Sequence, residues 1–327
     1  MPSTITHAYF GLDVYDKLNN KQRENILPYI EQLKTFAQGP DVLYFYNSLN
    51  LSKGKKINNL GHYMHKHNTK DFFINMIAYI KDNHLEEDYE AITYLYGSIC
   101  HYVLDYTAHP FIFYKTGVVN KTDKSTYKYV GLHNEMESYI DAYYIYNREH
   151  IEPKKFKVHK YSLNINIFSP SLSKMIDYTF NKTYSFKKAS SFYLKSIKQM
   201  RFLYHLMRYD PSGVKKIIYN ISNLLILNPL VRKKSISYNI NPMKKIDYLN
   251  LDKKTWNNPV DKNDISNDSF LELYDKALNE TINIINEVDK VLYDNTSIED
   301  LDRVFLNLSY SNGMDCNLKM KMKYFEK

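Results

Sequence analysis

The chain has 327 residues with only 9 glycines and 10 prolines, enough for a sizeable core built from long elements with few tight turns. Two cysteines, Cys100 and Cys316, exclude a disulfide framework, and no run of about 18 apolar residues marks a membrane-spanning helix. A formal net charge of +8 suits phosphate-bearing substrates, anionic membranes or nucleic acid, although lysine-rich surfaces are common without any of these.

The N-terminal stretch MPSTITHAYFGLDVYDKL has neither a basic segment nor a continuous apolar run. No secretory signal is therefore expected, and the expected location is the cytoplasm. Helical periodicity dominates the rest of the chain. Ile26, Ile30, Leu33 and Ala37 share a stripe that predicts a helix over 21–39, stopped by Gly39. Asn68 opens the next helix, with Phe72, Met76, Tyr79 and Ile80 facing inward. A long apolar helix is predicted over 86–109 and ended by Pro110, and another over 131–147. After a polar stretch near 150–168, helices are expected at 169–182, 185–209, 211–226, 267–294 and 298–308. Residues 227–266, rich in Asn, Pro and Lys, read as a long loop. No alternation of strand and helix occurs, so the fold class is all-α.

The long helix carries HYVLDYTAH, in which His101, Asp105 and His109 recur every fourth residue. Eight residues drift only about 80° around a helix axis but advance about 12 Å along it. The three side chains thus share a face, while one ion cannot reach both histidines at bond lengths of about 2.0–2.2 Å. The spacing asks for at least two ions, with Asp105 between them. In HNEMESYID, His133 and Glu137 form an i,i+4 pair to which His109 could add a third ligand, leaving a place for water. Asp141, one turn on, is expected to orient a ligating imidazole. Upstream, His7, Asp41, His62, His65 and His67 are further candidates, and Asp41 reads equally as a ligand or as a helix cap.

The ordered set THAYF, GPDVLYFY, GHYMH, YLYGSICHYVLDYTAHPFI and HNEMESYID resembles the bacterial zinc-dependent phospholipase C family. That family is related to the N-terminal domain of glycosylphosphatidylinositol-specific phospholipase D, and its zinc site is similar to that of fungal and plant single-strand nucleases. The resemblance, carried by roughly residues 1–147, implies a zinc-binding helical core over residues 1–150, and 151–327 is expected as a helical extension packing on the same single domain. It also implies up to three Zn2+ ions. One would be held by Asp41, His65, His101 and Asp105, a second by His7 and Asp105, and a third by His109, His133 and Glu137. Asp41 would also act as the catalytic base. Of the GHYMHKH histidines, the family motif favours His65, with His62 as the alternative. Secreted relatives complete the second site with an N-terminal Trp, through its amine and carbonyl. Here a Pro2 exposed by removal of Met1 is the candidate replacement, with water as the alternative.

Such a cluster suits phosphodiester hydrolysis, because paired ions activate water and neutralise charge on the phosphate. The expected substrate is a phospholipid or another phosphodiester. Two rivals share the site: a single-strand-type nuclease, and a non-catalytic protein merely stabilised by metal. Residues 214–234, apolar with basic ends, read either as a buried helix with a basic loop or as a peripheral contact with anionic lipid.

Overall fold

The predicted apolar helix is the axis of the fold in the computed structural model, which describes residues 4–48, 50–206, 247–294, 296–318 and 320–326. Pro2, the helix expected over 211–226 and the segment 214–234 lie outside the described residues, as does the first half of the expected loop, 227–246. The described elements in chain order are helices α1 (Thr4–Lys17), α2 (Asn20–Ile26), α3 (Ile30–Phe36), α4 (Leu51–Met64), α5 (Thr69–Asp82), α6 (Tyr89–Thr116), α7 (Leu132–Glu149), α8 (Val158–Tyr161), α9 (Pro170–Tyr184) and α10 (Ala189–Leu206). A hairpin of β1 (Trp256–Asn258) and β2 (Asp261–Ser266) comes next, then α11 (Phe270–Tyr293). The architecture is all-α with one small antiparallel hairpin.

Helix α6 starts where Asp88 accepts a hydrogen bond from the Ala91 N–H at 3.1 Å, and it ends at Gly117. Most of its 28 residues are buried, because α1, α3, α7 and α11 all pack around it. A helix apolar all round belongs in the interior, and α6 meets that description. Its amphipathic neighbour α11 is opened by a reciprocal capping box between Ser269 and Glu272.

Four expectations need correction. The helix expected over 21–39 is broken into α2 and α3 by a 3-10 turn, Leu27–Tyr29, because Pro28 lacks an N–H and crowds the preceding turn. Conversely, Pro110 does not end α6, which continues for six residues to Thr116. Burial of Phe111, Ile112 and Thr116 favours continuation over the cost of one missing backbone bond. Part of the expected loop is the hairpin, whose Trp256 packs on Phe111 at 5.4 Å and donates to the Asp268 carbonyl at 2.9 Å. The helix expected over 298–308 is only a 3-10 turn, Ile298–Arg303, followed by extended chain that pairs Leu308 with Asp315. Phe305 anchors that chain, fully buried and stacked on Phe73 at 4.7 Å; burial of such a side chain is worth about 1.5–3 kcal/mol.

Candidate metal centre

Five elements bring the expected residues together. Helix α1 carries His7, the 3-10 segment Gly39–Phe45 carries Asp41, and His65 is the residue that ends α4. Helix α6 contributes His101, Asp105 and His109, and α7 contributes His133 and Glu137. Asp105 lies at the middle. Its Oδ1 is 3.3 Å from His7 Nε2, and its Oδ2 is 3.2 Å from His101 Nε2, 3.4 Å from His109 Nδ1 and 3.8 Å from His65 Nε2. His65 Nε2 also lies 3.1 Å from Asp41 Oδ1. On the α7 side, Glu137 Oε1 is 3.0 Å from His133 Nε2 and 3.5 Å from His109 Nε2. Two groups therefore have ligand atoms within 4.8 Å of one another: His7, Asp41, His101 and Asp105, and His109, His133 and Glu137.

The remaining candidates fall elsewhere. His62 is exposed and packs on Tyr44 at 4.5 Å, and His67 stacks on Tyr63 at 4.2 Å. Asp41 is buried and caps no helix: Gln38 precedes its 3-10 segment, and Asn50 caps α4. Asp141 meets the start of α1 instead of the expected imidazole. It accepts hydrogen bonds from the N–H groups of Ile5 at 3.2 Å and Thr6 at 2.8 Å, and from the Thr6 hydroxyl at 2.8 Å. A carboxylate there satisfies the free donors at the start of α1 and favours the helix dipole, so Asp141 places His7 through the backbone.

Backbone carbonyls orient the imidazoles. His101 Nδ1 donates to Ala37 O at 3.1 Å, His65 Nδ1 to Gly61 O at 2.7 Å, and His109 Nδ1 to Tyr310 O at 2.8 Å. With one proton held on Nδ1, each Nε2 is the nitrogen left facing the cluster, able to ligate once it carries no proton. Sequence reasoning missed these acceptors, since a carbonyl leaves no trace in residue identity. Tyr310 had no signal at all, lying 201 residues from His109. Gly39 left a weak one: its φ is +50°, and a Cβ there would lie 2.4 Å from the His101 ring. Only glycine combines that backbone with so close an approach.

The charges are strongly coupled. Burial alone would push the Asp105 carboxyl up, but His101 and His109 hold it well below the usual carboxylate range. Glu137 is likewise pulled down by His133 and His109 against its own burial. Burial lowers His109, yet the charge of Asp105 and the hydrogen bond to Glu137 outweigh it and push the group up to about 10. His7 is raised by Asp105 in the same way. Below 6.5 the pairing of His109 with these carboxylates stabilises the metal-free fold in full, and that stability is lost as pH climbs through about 10. A ligating histidine must shed its proton. Zinc added to metal-free protein at pH 7 is thus expected to release protons, the yield falling as pH approaches 10. Zinc uptake at pH 7 with no acidification of a weakly buffered solution would contradict this electrostatic picture.

The donor set fits a divalent ion. Among the described residues, His101 Nε2 and Asp105 Oδ2 are buried with no hydrogen-bond partner. Buried polar atoms in folded proteins are otherwise nearly always satisfied. His101 Nε2 and Asp105 Oδ2 face each other at 3.2 Å, an arrangement that a shared cation would satisfy. Imidazole nitrogens with carboxylate oxygens are the usual non-thiolate ligands of zinc.

Residues 6–199 match a family model described as zinc dependent phospholipase C. No curated protein and no solved structure matches the chain. Because the matched span covers more than half of the 327 residues and contains both donor groups, the chain belongs to the zinc-dependent phospholipase C family.

Proposed function

We propose that this protein is a zinc-dependent phosphodiester hydrolase that cleaves a phospholipid by the phospholipase C reaction, yielding a phosphomonoester and an alcohol. The observation that carries the reading is the central place of Asp105, within 3.4 Å of His7, His101 and His109 from different sides. In this reading Asp41, His65, His101 and Asp105 hold one ion, His7 and Asp105 a second, and His109, His133 and Glu137 a third. Zinc bound there would supply Lewis acidity, neutralising charge on the phosphate and acidifying water.

The chain's own residues do the rest. Asp41 takes the proton from the attacking water, its carboxylate lying 3.1 Å from His65 Nε2. His133 is the most open member, with 28% of its side chain exposed, whereas His7, His65, His101 and Asp105 are buried. Substrate therefore approaches from the His133 side, and water is excluded behind it. No helix among the described residues is long and apolar enough to cross a membrane, so access to lipid would be peripheral. The proposed division keeps 1–150 as the zinc-binding core and 151–327 as an extension of the same domain, supported by the packing of α11 along α6.

Protein purified without chelators is expected to carry at least two zinc equivalents and to hydrolyse phosphatidylcholine vesicles faster than single-stranded DNA. One zinc or none would sink the cluster. Two or more with preferential cleavage of DNA would make it a nuclease, and two or more without turnover on either would make the metal purely structural.

A further inference from the structure

Beyond the span that matches the family, the chain returns to the metal centre at residues 308–315. The Leu308 N–H donates to the Tyr102 hydroxyl at 3.0 Å, and its carbonyl accepts from Thr69 Oγ1 at 2.9 Å. The next turn is closed by the Ser309 N–H on Met314 O at 2.8 Å and the Gly313 N–H on Ser309 O at 2.9 Å. Gly313 has a φ of +66°, and a Cβ there would lie 2.7 Å from the carbonyl of Tyr106, next to Asp105 in α6. Pro110 has no N–H for that carbonyl, and the glycine lets the turn press against it.

Tyr310 links His65, which lies 3.1 Å from Asp41 of the first donor group, to His109 of the second through its backbone. Its N–H donates to the His65 carbonyl at 3.0 Å, a carbonyl that also accepts from Ser309 Oγ at 3.1 Å. Its own carbonyl accepts from His109 Nδ1 at 2.8 Å. The buried ring packs 5.0 Å from His65 and 5.7 Å from His101. The alternative acceptor for His109 Nδ1 is Asp105 Oδ2, which lies farther away at 3.4 Å. By accepting that hydrogen bond, the Tyr310 carbonyl leaves Asp105 Oδ2 without a hydrogen-bond partner among the described residues and turns His109 Nε2 toward Glu137.

We infer that Tyr310 is a positioning residue that couples the two donor groups, and that the 308–315 turn is a strap on which zinc binding at both depends. The inference rests on the ligand reading proposed above. It is tested in the full chain by zinc affinity in chelator competition and by the visible spectrum of the cobalt-loaded protein. Tyr310→Ala and Gly313→Ala are expected to weaken zinc at both groups by about tenfold or more, the size of effect seen when a partner of a ligating histidine is lost, and to change the cobalt bands. Tyr310→Phe, which keeps ring and backbone, should behave as wild type. Ser309→Ala removes only the hydroxyl bond to the His65 carbonyl, so it should weaken the group near His65 and spare that of His109. Should Gly313→Ala fail to fold, Tyr310→Ala and Ser309→Ala decide the matter. Wild-type affinity and spectrum in Tyr310→Ala would overturn the strap alone, whereas wild-type protein that binds no zinc would overturn the ligand reading with it.

Discussion

Replacing Asp105 by Asn is expected to strip more zinc from the protein than either His109→Ala or His7→Ala, and to abolish turnover. Its two oxygens face His7 at 3.3 Å on one side and His101 and His109 at 3.2 and 3.4 Å on the other. Among the described residues, no other side chain in the cluster meets histidines from both donor groups at such distances. The amide keeps the shape but loses the charge and offers an NH2 group that cannot ligate. Losing an outer-sphere partner costs about 10–100-fold in metal affinity, so loss of a shared ligand should cost more. The metal-free fold should also weaken, by about 3–5 kcal/mol, because buried His7 would lose the carboxylate that favours its charge and His109 would keep only Glu137. Elemental analysis of the three variants and urea unfolding of their metal-free forms provide the check. Equal zinc loss in all three would remove the shared role from Asp105.

The second large effect is expected from Asp41→Asn, which should lower turnover by about 10²–10⁴ while leaving the fold nearly intact. Its backbone N–H donates to Gln38 O at 3.2 Å whatever the side chain, so the 3-10 segment survives the change. The lost function is the carboxylate beside His65, which no neighbour in that segment can replace, since Val42 and Leu43 are apolar and buried. Rates on the best phosphodiester substrate, compared at equal zinc content, isolate the base from the ligand role. Turnover equal to wild type would strike Asp41 from the chemistry.

Local geometry explains what could be read in advance. The shared face of His101, Asp105 and His109, the i,i+4 pair of His133 and Glu137, and the all-α character follow from helix periodicity, a property of a few consecutive residues. The expectation that one ion could not serve the whole stripe came from the same arithmetic.

Other features depend on residues far apart in the chain. GHYMHKH offers His62 and His65 with equal side-chain chemistry, separated in the sequence only by the family motif that favours His65, and the turn at the end of α4 points His65 at Asp41 while leaving His62 exposed against Tyr44. Asp141 has the spacing of an imidazole partner, yet the approach of α1 to α7 commits it to the N–H groups of Ile5 and Thr6. Pro110 has the local signature of a helix end, and burial of the residues after it overrides that signature. By itself the sequence determined the helices that carry His101, Asp105, His109, His133 and Glu137 and their spacing, because those are set by backbone geometry within a few turns. Tertiary structure alone decided which carboxylate anchors a helix and that the Tyr310 carbonyl holds His109, because packing brings together groups that sequence separates and a backbone acceptor carries no residue identity.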